Sequence, residues 1–205
     1  MTVNQSYRIE NHFDRIIQDG IARGLMPGKT QEARDWYRAQ AKKFRYGNEV
    51  TLMNSESAML VAKPKIGHMY MYIYDAKYKN ELPYWDACPV VFIVDKTENG
   101  WTALNLHYIH PQKRAKLLDA LYNYTNNKKF DETTKLKLSY ALLKEASGLK
   151  YFQPCFKRYL TSHLKSPFME IPGSDWDICA FLPLANFQKA HGNYVYARSN
   201  DIING

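Results

Sequence analysis

The sequence predicts an α+β protein. It reads as a small, strongly bent antiparallel sheet or barrel, with basic helices inserted between its third and fourth strands and an N-terminal helical arm. Three observations carry this. Residues 66–75 alternate strictly, with Met69, Met71 and Ile73 pointing one way and Tyr70, Tyr72 and Tyr74 the other. That is a strand with two chemically different faces. The run Pro89 to Asp95 is continuously apolar, as in a strand covered on both sides, and Glu98-Asn99-Gly100 is a hairpin signal that returns the chain as a third strand over 101–107. Downstream, the segment 111–165 carries helical stripes of apolar residues among lysines.

Taken in order, residues 5–24 place Tyr7, Phe13, Ile16, Ile17 and Ile21 at helical spacings before Gly24. Thr30 caps a second helix whose acidic first turn suits the dipole, and Trp36, Tyr37, Ala41 and Phe44 share one face. Arg34, Arg38, Lys42 and Arg45 lie nearby, so the helix is either a basic, aromatic binding face or one that docks its aromatics on the core. Between 46 and 65, Tyr46-Gly47 is turn-like, Asn54 to Ser57 is polar, and 51–53 and 58–61 suit short strands or linker. Pro64 and Gly67 place an arm-to-core boundary there, giving an arm over 1–64, a core over 65–190 and a tail over 191–205.

Pro111 opens a helix with an Ala115, Leu118, Leu121 and Tyr122 stripe, and Asp131 caps another with Leu136, Tyr140 and Leu143 inward. Pro154 opens a third, over 154–165. Residues 168–171 and 177–182 read as strands, Pro183 as the start of a helical turn, and the segment from His191 as a frayed or partner-bound tail.

Composition narrows the function. No run of about 18 apolar residues exists, so no membrane-spanning helix is expected, and Met1 to Glu10 lacks the apolar stretch of a secretory leader. Cys88, Cys155 and Cys179 read as buried thiols. Of the 28 Lys/Arg and 20 Asp/Glu, twelve basic but only four acidic residues fall within 111–165. A cationic block on an otherwise balanced chain points to a polyanion. Lys113, Arg114, Lys116, Lys128, Lys129, Lys135, Lys137, Lys157, Arg158, His163 and Lys165 are the candidate phosphate contacts, with tyrosines beside them to stack on unpaired bases.

Catalytic motifs are weak. His107-Tyr108-Ile109-His110 has the form of a metal pair, but its spacing fixes no third ligand. Gly28-Lys29-Thr30 resembles the end of a phosphate loop, but the upstream glycine is replaced by Arg23. No enzyme, metal or cofactor is expected.

Three segments together resemble a family: 67–72 through Leu82-Pro83-Tyr84-Trp85-Asp86 to Pro89-Val90-Val91; Asn105 to Pro111; and Phe130 to Lys137 with Pro154-Cys155 and Ser162-His163. They are similar to small virion proteins of contractile-tailed phages, the DNA end protector proteins. The resemblance, over about residues 66–190, implies a non-enzymatic protein at the end of packaged double-stranded DNA. Its partners would be that DNA and other virion proteins, and its location the virion and then the host cytoplasm. Two alternatives stand beside it: an assembly protein of the head, neck or baseplate that binds no DNA, and a metal-dependent nuclease using His107 and His110.

Overall fold

The computed structural model describes residues 12–45, 47–56 and 59–204. Tyr7 of the first helix, Tyr46 of the turn, and Ser57 and Ala58 lie outside the described residues. Seven helices are described: α1 (His12–Ala22), α2 (Gln31–Lys43), α3 (Glu49–Ser55), α4 (Pro111–Thr125), α5 (Glu132–Gly148), α6 (Trp176–Cys179) and α7 (Gly192–Asn204). The strands are β1 (Leu60–Val61), β2 (Met69–Met71), β3 (Trp85–Asp86), β4 (Val90–Thr97), β5 (Gly100–Asn105), β6 (Phe156–Leu160), β7 (Phe168–Ile171) and β8 (Phe187–Gln188).

Six strands form an antiparallel sheet in the order β1-β7-β2-β4-β5-β6, and β3 pairs with β8 separately. The sheet is open, with β1 and β6 as its edges, so the α+β class holds and the barrel alternative does not. The two-faced strand is observed: Met69 and Met71 join Val90, Phe92, Val94 and Leu104 in one core, while Tyr70, Tyr72 and Tyr74 join Ile93, Trp101, Tyr159 and Phe168 in another. Helices cover the methionine face, through Leu117, Leu118 and Leu121 of α4 and Leu143 of α5. The tyrosine face is covered instead by the segment between β2 and β3, through Ala76, Leu82 and Trp85. The tyrosines lie under that segment, where burial of large aromatic area contributes most to the core.

Caps read from sequence hold. Thr30 Oγ1 accepts from Ala33 N at 3.1 Å and Asp131 Oδ1 from Thr134 N at 2.8 Å. Residues of the N-terminal 64 enter the same core as the rest: Phe13, Tyr37 and Leu52 cluster with Phe92 and Leu118, and β1 pairs with β7. Tyr37 is held by α1, its hydroxyl donating to the Ile17 and Leu25 carbonyls, and Gly20 leaves the space for its ring.

Several expected elements differ. Residues 51–53 belong to α3, started by an Asn48 side chain that accepts from Thr51 N at 2.8 Å. The stretch expected as a third basic helix is β6 between two single 3-10 turns, because Phe156 to Leu160 pair in register with Gly100 to Leu104. The expected strand over 177–182 contains α6 and its following turn, a run buried on every side whose pattern fits either element. No helical turn follows Pro183, where β8 forms, and the expected frayed tail is α7, anchored by buried Val195 and Ser199. Leu136 faces outward, 43% exposed. The three cysteines are free and buried.

Arg38 of α2 is buried against α4 and α6. Its Nε lies 2.6 Å from Asp177 Oδ1 and its Nη2 2.7 Å from Asp119 Oδ1. Burial lifts the Asp177 carboxyl to about 6 against the opposing pull of Arg38, and burial lifts Asp175 to about 6 as well. Protons held in the fold up to about pH 6, but released from the unfolded chain near pH 4, stabilise the protein below that window. The benefit is lost as pH rises through it. Thermal unfolding is therefore expected to show the melting temperature falling between pH 4 and 6, by up to about 3 kcal/mol of stability per carboxyl. Asp175→Asn should flatten the slope; a profile rising through that window would contradict the assignment.

Candidate nucleic-acid interface

The segment from Tyr74 to Asp86 leaves β2, crosses the tyrosine face and returns at β3. Its start is pinned to the turn after β6: Asp75 N donates to His163 O at 3.1 Å, His163 Nδ1 meets Asp75 O at 2.8 Å, and Lys165 N donates to Ile73 O. Between this segment and β6 lies a cleft of about 520 Å³. Lys77, Tyr78, Leu82, Tyr84 and Trp85 line one side, Lys157, Arg158, Tyr159 and Leu160 the other, and Asn99 of the β4–β5 hairpin also contributes. Tyr74, Asp86 and Tyr108 line it as buried residues.

A hydrogen-bond network fixes the floor. Asp86 Oδ2 meets His107 Nδ1 at 2.7 Å and accepts from Asn105 Nδ2 at 3.0 Å. Its Oδ1 accepts from Cys88 N and Asn186 N. Asn105 also donates to the Tyr159 hydroxyl, and Trp101 Nε1 to the Tyr72 hydroxyl, each at 3.0 Å. Burial alone would raise the Asp86 carboxyl, but His107 and these donors outweigh it and hold the group below the ordinary carboxylate range. The Tyr72, Tyr108 and Tyr159 phenols are raised by burial and stay neutral.

Cations sit on the ring faces around this floor. Lys157 Nζ lies 4.1 Å from the Tyr108 ring centre, Lys77 Nζ 5.0 Å from Tyr78 and Lys189 Nζ 5.6 Å from Trp85. Burial lowers the Lys157 ammonium from its ordinary value. Tyr108 also lines a second hollow, where Lys113 Nζ stands 5.3 Å from the Tyr151 ring.

The eleven sequence-predicted residues thus divide. Lys157, Arg158, His163 and Lys165 gather around the cleft and the β6 edge, and Lys113 of α4 lines the second hollow beside it. Lys116, Lys128, Lys129, Lys135 and Lys137 lie on the helical layer over the other face. Lys135 is half-buried and paired with Glu132 at 2.6 Å. Arg114 requires correction: it is buried, its Nη1 donating to Ala180 O and its Nη2 to Ile109 O, so it is withdrawn from the surface. His163 uses Nδ1 to brace the loop. Sequence reasoning missed Lys77, Lys189 and Tyr108. Lys77-Tyr78 was a readable basic–aromatic neighbour pair; Lys189 does not line the cleft but donates to the Asn80 and Leu82 carbonyls of the covering segment, a placement only the fold supplies.

The histidine pair of the nuclease alternative does not converge. His107 is fully buried on Asp86, whereas His110 is exposed and caps α4. Among the described residues no group of three His, Cys, Asp or Glu side chains could hold a metal ion, and no helix is long and apolar enough to cross a membrane.

The family model of the phage T4 terminal DNA protecting protein matches residues 7–200. The chain belongs to that family. It is therefore a phage DNA-protecting protein by family, and the match extends through α1 and α2, beyond the segments that carry the resemblance in sequence. No curated protein and no solved structure matches the chain.

Proposed function

We propose that this protein is a virion component that binds the end of packaged double-stranded DNA and shields it from exonucleases. It does so through contacts to phosphates that carry no sequence information. The observation that carries the reading is the cationic surface around the β6 edge in a member of a terminal DNA protecting family. Lys157, Arg158 and Lys165 supply the charge there and Lys113 adds to it from the adjoining hollow; none of the four forms a salt bridge among the described residues. Such ammonium and guanidinium groups displace condensed counterions from a duplex and read no bases. Lys116, Lys128, Lys129 and Lys137 add to the long-range field that draws the polyanion in.

The test is competition. A labelled linear duplex is challenged with unlabelled linear DNA or with covalently closed DNA of equal length. Linear competitor is expected to displace the protein at far lower concentration than closed circles. Equal displacement would leave a general DNA-binding protein and overturn the end preference.

A further inference from the structure

We propose that the cleft between β6 and the Tyr74–Asp86 segment takes one unpaired terminal nucleotide of the DNA. Its base would lie against Tyr78, Tyr84 and Trp85, and its phosphate on Lys77 and Lys157. This rests on the DNA-binding reading above and adds to it a site and a ligand.

The cleft's volume, about 520 Å³, lies within the range of cavities that enclose a single small ligand. Its chemistry is that of a single-strand site, where aromatic faces stack on bases of any sequence and cations follow the backbone. Here the two are already adjacent, since Lys157 and Lys77 rest on the Tyr108 and Tyr78 rings. The charge balance points the same way. Among the described residues Asp86 is the one carboxylate lining the cleft, and both its oxygens are spent on Cys88, Asn186, Asn105 and His107. Neighbouring Lys79 is neutralised by Asp75 at 2.9 Å. Lys77 and Lys157 have no such partner among the described residues. The cleft therefore keeps net positive charge despite the acid in its lining. A ligand that brings an anion and a flat apolar ring satisfies both features.

Position supports the same ligand. Arg158 and Lys165, which would hold the duplex, flank the cleft along β6 and the turn that follows it. A duplex held there by its phosphates ends beside the opening. The floor network is already hydrogen-bonded, so little ordering is required on binding.

The experiment uses the full chain and a DNA hairpin with one open end. That end is either blunt or carries a short single-stranded extension with 2-aminopurine as its outermost base. Stacking is expected to quench the 2-aminopurine, and the extension to tighten binding about tenfold over the blunt end. Tyr78 is 53% exposed and Lys77 is exposed, so Tyr78→Ala and Lys77→Gln leave the core untouched. In both variants the ratio of extended to blunt affinity should fall from about ten toward one. Equal binding of the two probes with unquenched 2-aminopurine would overturn the cleft as the site while leaving duplex binding in place. An unchanged ratio in both variants would also overturn it. Absence of binding to either probe at low salt would remove the DNA-binding reading and the inference with it.

Discussion

Replacing Lys113, Lys157, Arg158 and Lys165 together with glutamine is expected to lower duplex affinity by about three orders of magnitude at 0.1 M salt. Each neutralised phosphate releases condensed counterions, so the slope of log affinity against log salt should become shallower by about 0.9 for every phosphate left without its cation, or roughly 3 to 4 for the set. Lys157 and Arg158 line the cleft, Lys165 follows β6, and Lys113 lines the neighbouring hollow that shares Tyr108 with it. The corresponding change on the helical layer, at Lys116, Lys128, Lys129 and Lys137, removes charge from the other face. That variant should bind less than about tenfold more weakly, since exposed charges beyond a Debye length are screened. Titration of both variants across a salt series checks the pair of expectations. If the helical variant showed the larger drop in affinity and in slope, the interface would lie on the helices.

Arg38→Ala is expected to cost about 3–5 kcal/mol of stability, the range for breaking a buried ion pair. The guanidinium joins α2 to α4 through Asp119 and to α6 through Asp177, whose side chain is 1% exposed. Removing it strands a carboxylate away from water, and the Phe181 ring loses one of the cations that lie 5.5 Å from it, keeping Lys42 and Arg114. The loss should depend on pH in a particular direction. Asp177 already holds a proton up to about 6, and without Arg38 it holds one higher still, because burial then acts unopposed. Below pH 6 the stranded group is neutral and its penalty shrinks. Denaturant unfolding at pH 5 and pH 8 should therefore give a smaller difference from the parent at pH 5. A loss that is the same at both would assign the effect to packing alone. DNA binding should survive in the folded fraction, since Arg38 does not line the cleft.

Much of the fold was legible because local signals agreed with the tertiary structure. The Met/Tyr alternation of β2, the Glu98-Asn99 hairpin, and the Thr30, Asp131 and Pro111 helix starts are all present. The misses occur where long-range pairing or burial overrides local pattern. Phe156 to Leu160 read as a helical stripe but form a strand because β5 offers an unpaired edge. Residues 176–182 are buried on every side, Asp177 included, and a run without a solvent face has no period to read. The α7 segment mixes its apolar residues with a leading glycine and with asparagines, which read as coil, and its helix is held by the buried Val195 and Ser199. The site was legible as charge and not as shape. The lysine block was visible in sequence, but Arg114 within it turns inward to the Ala180 carbonyl. Lys77 lies outside the block and lines the cleft because the Tyr74–Asp86 segment folds over the tyrosine face, while Lys189, brought close by the pairing of β3 with β8, braces that segment through its carbonyls.

Exonuclease digestion of a linear duplex, with and without the protein and with covalently closed DNA as competitor, tests the central claim most directly. The account predicts that degradation from the ends is blocked at protein concentrations near one per end, and that an excess of closed DNA leaves the block in place. Undisturbed degradation, or protection that disappears when closed circles are added, would contradict it.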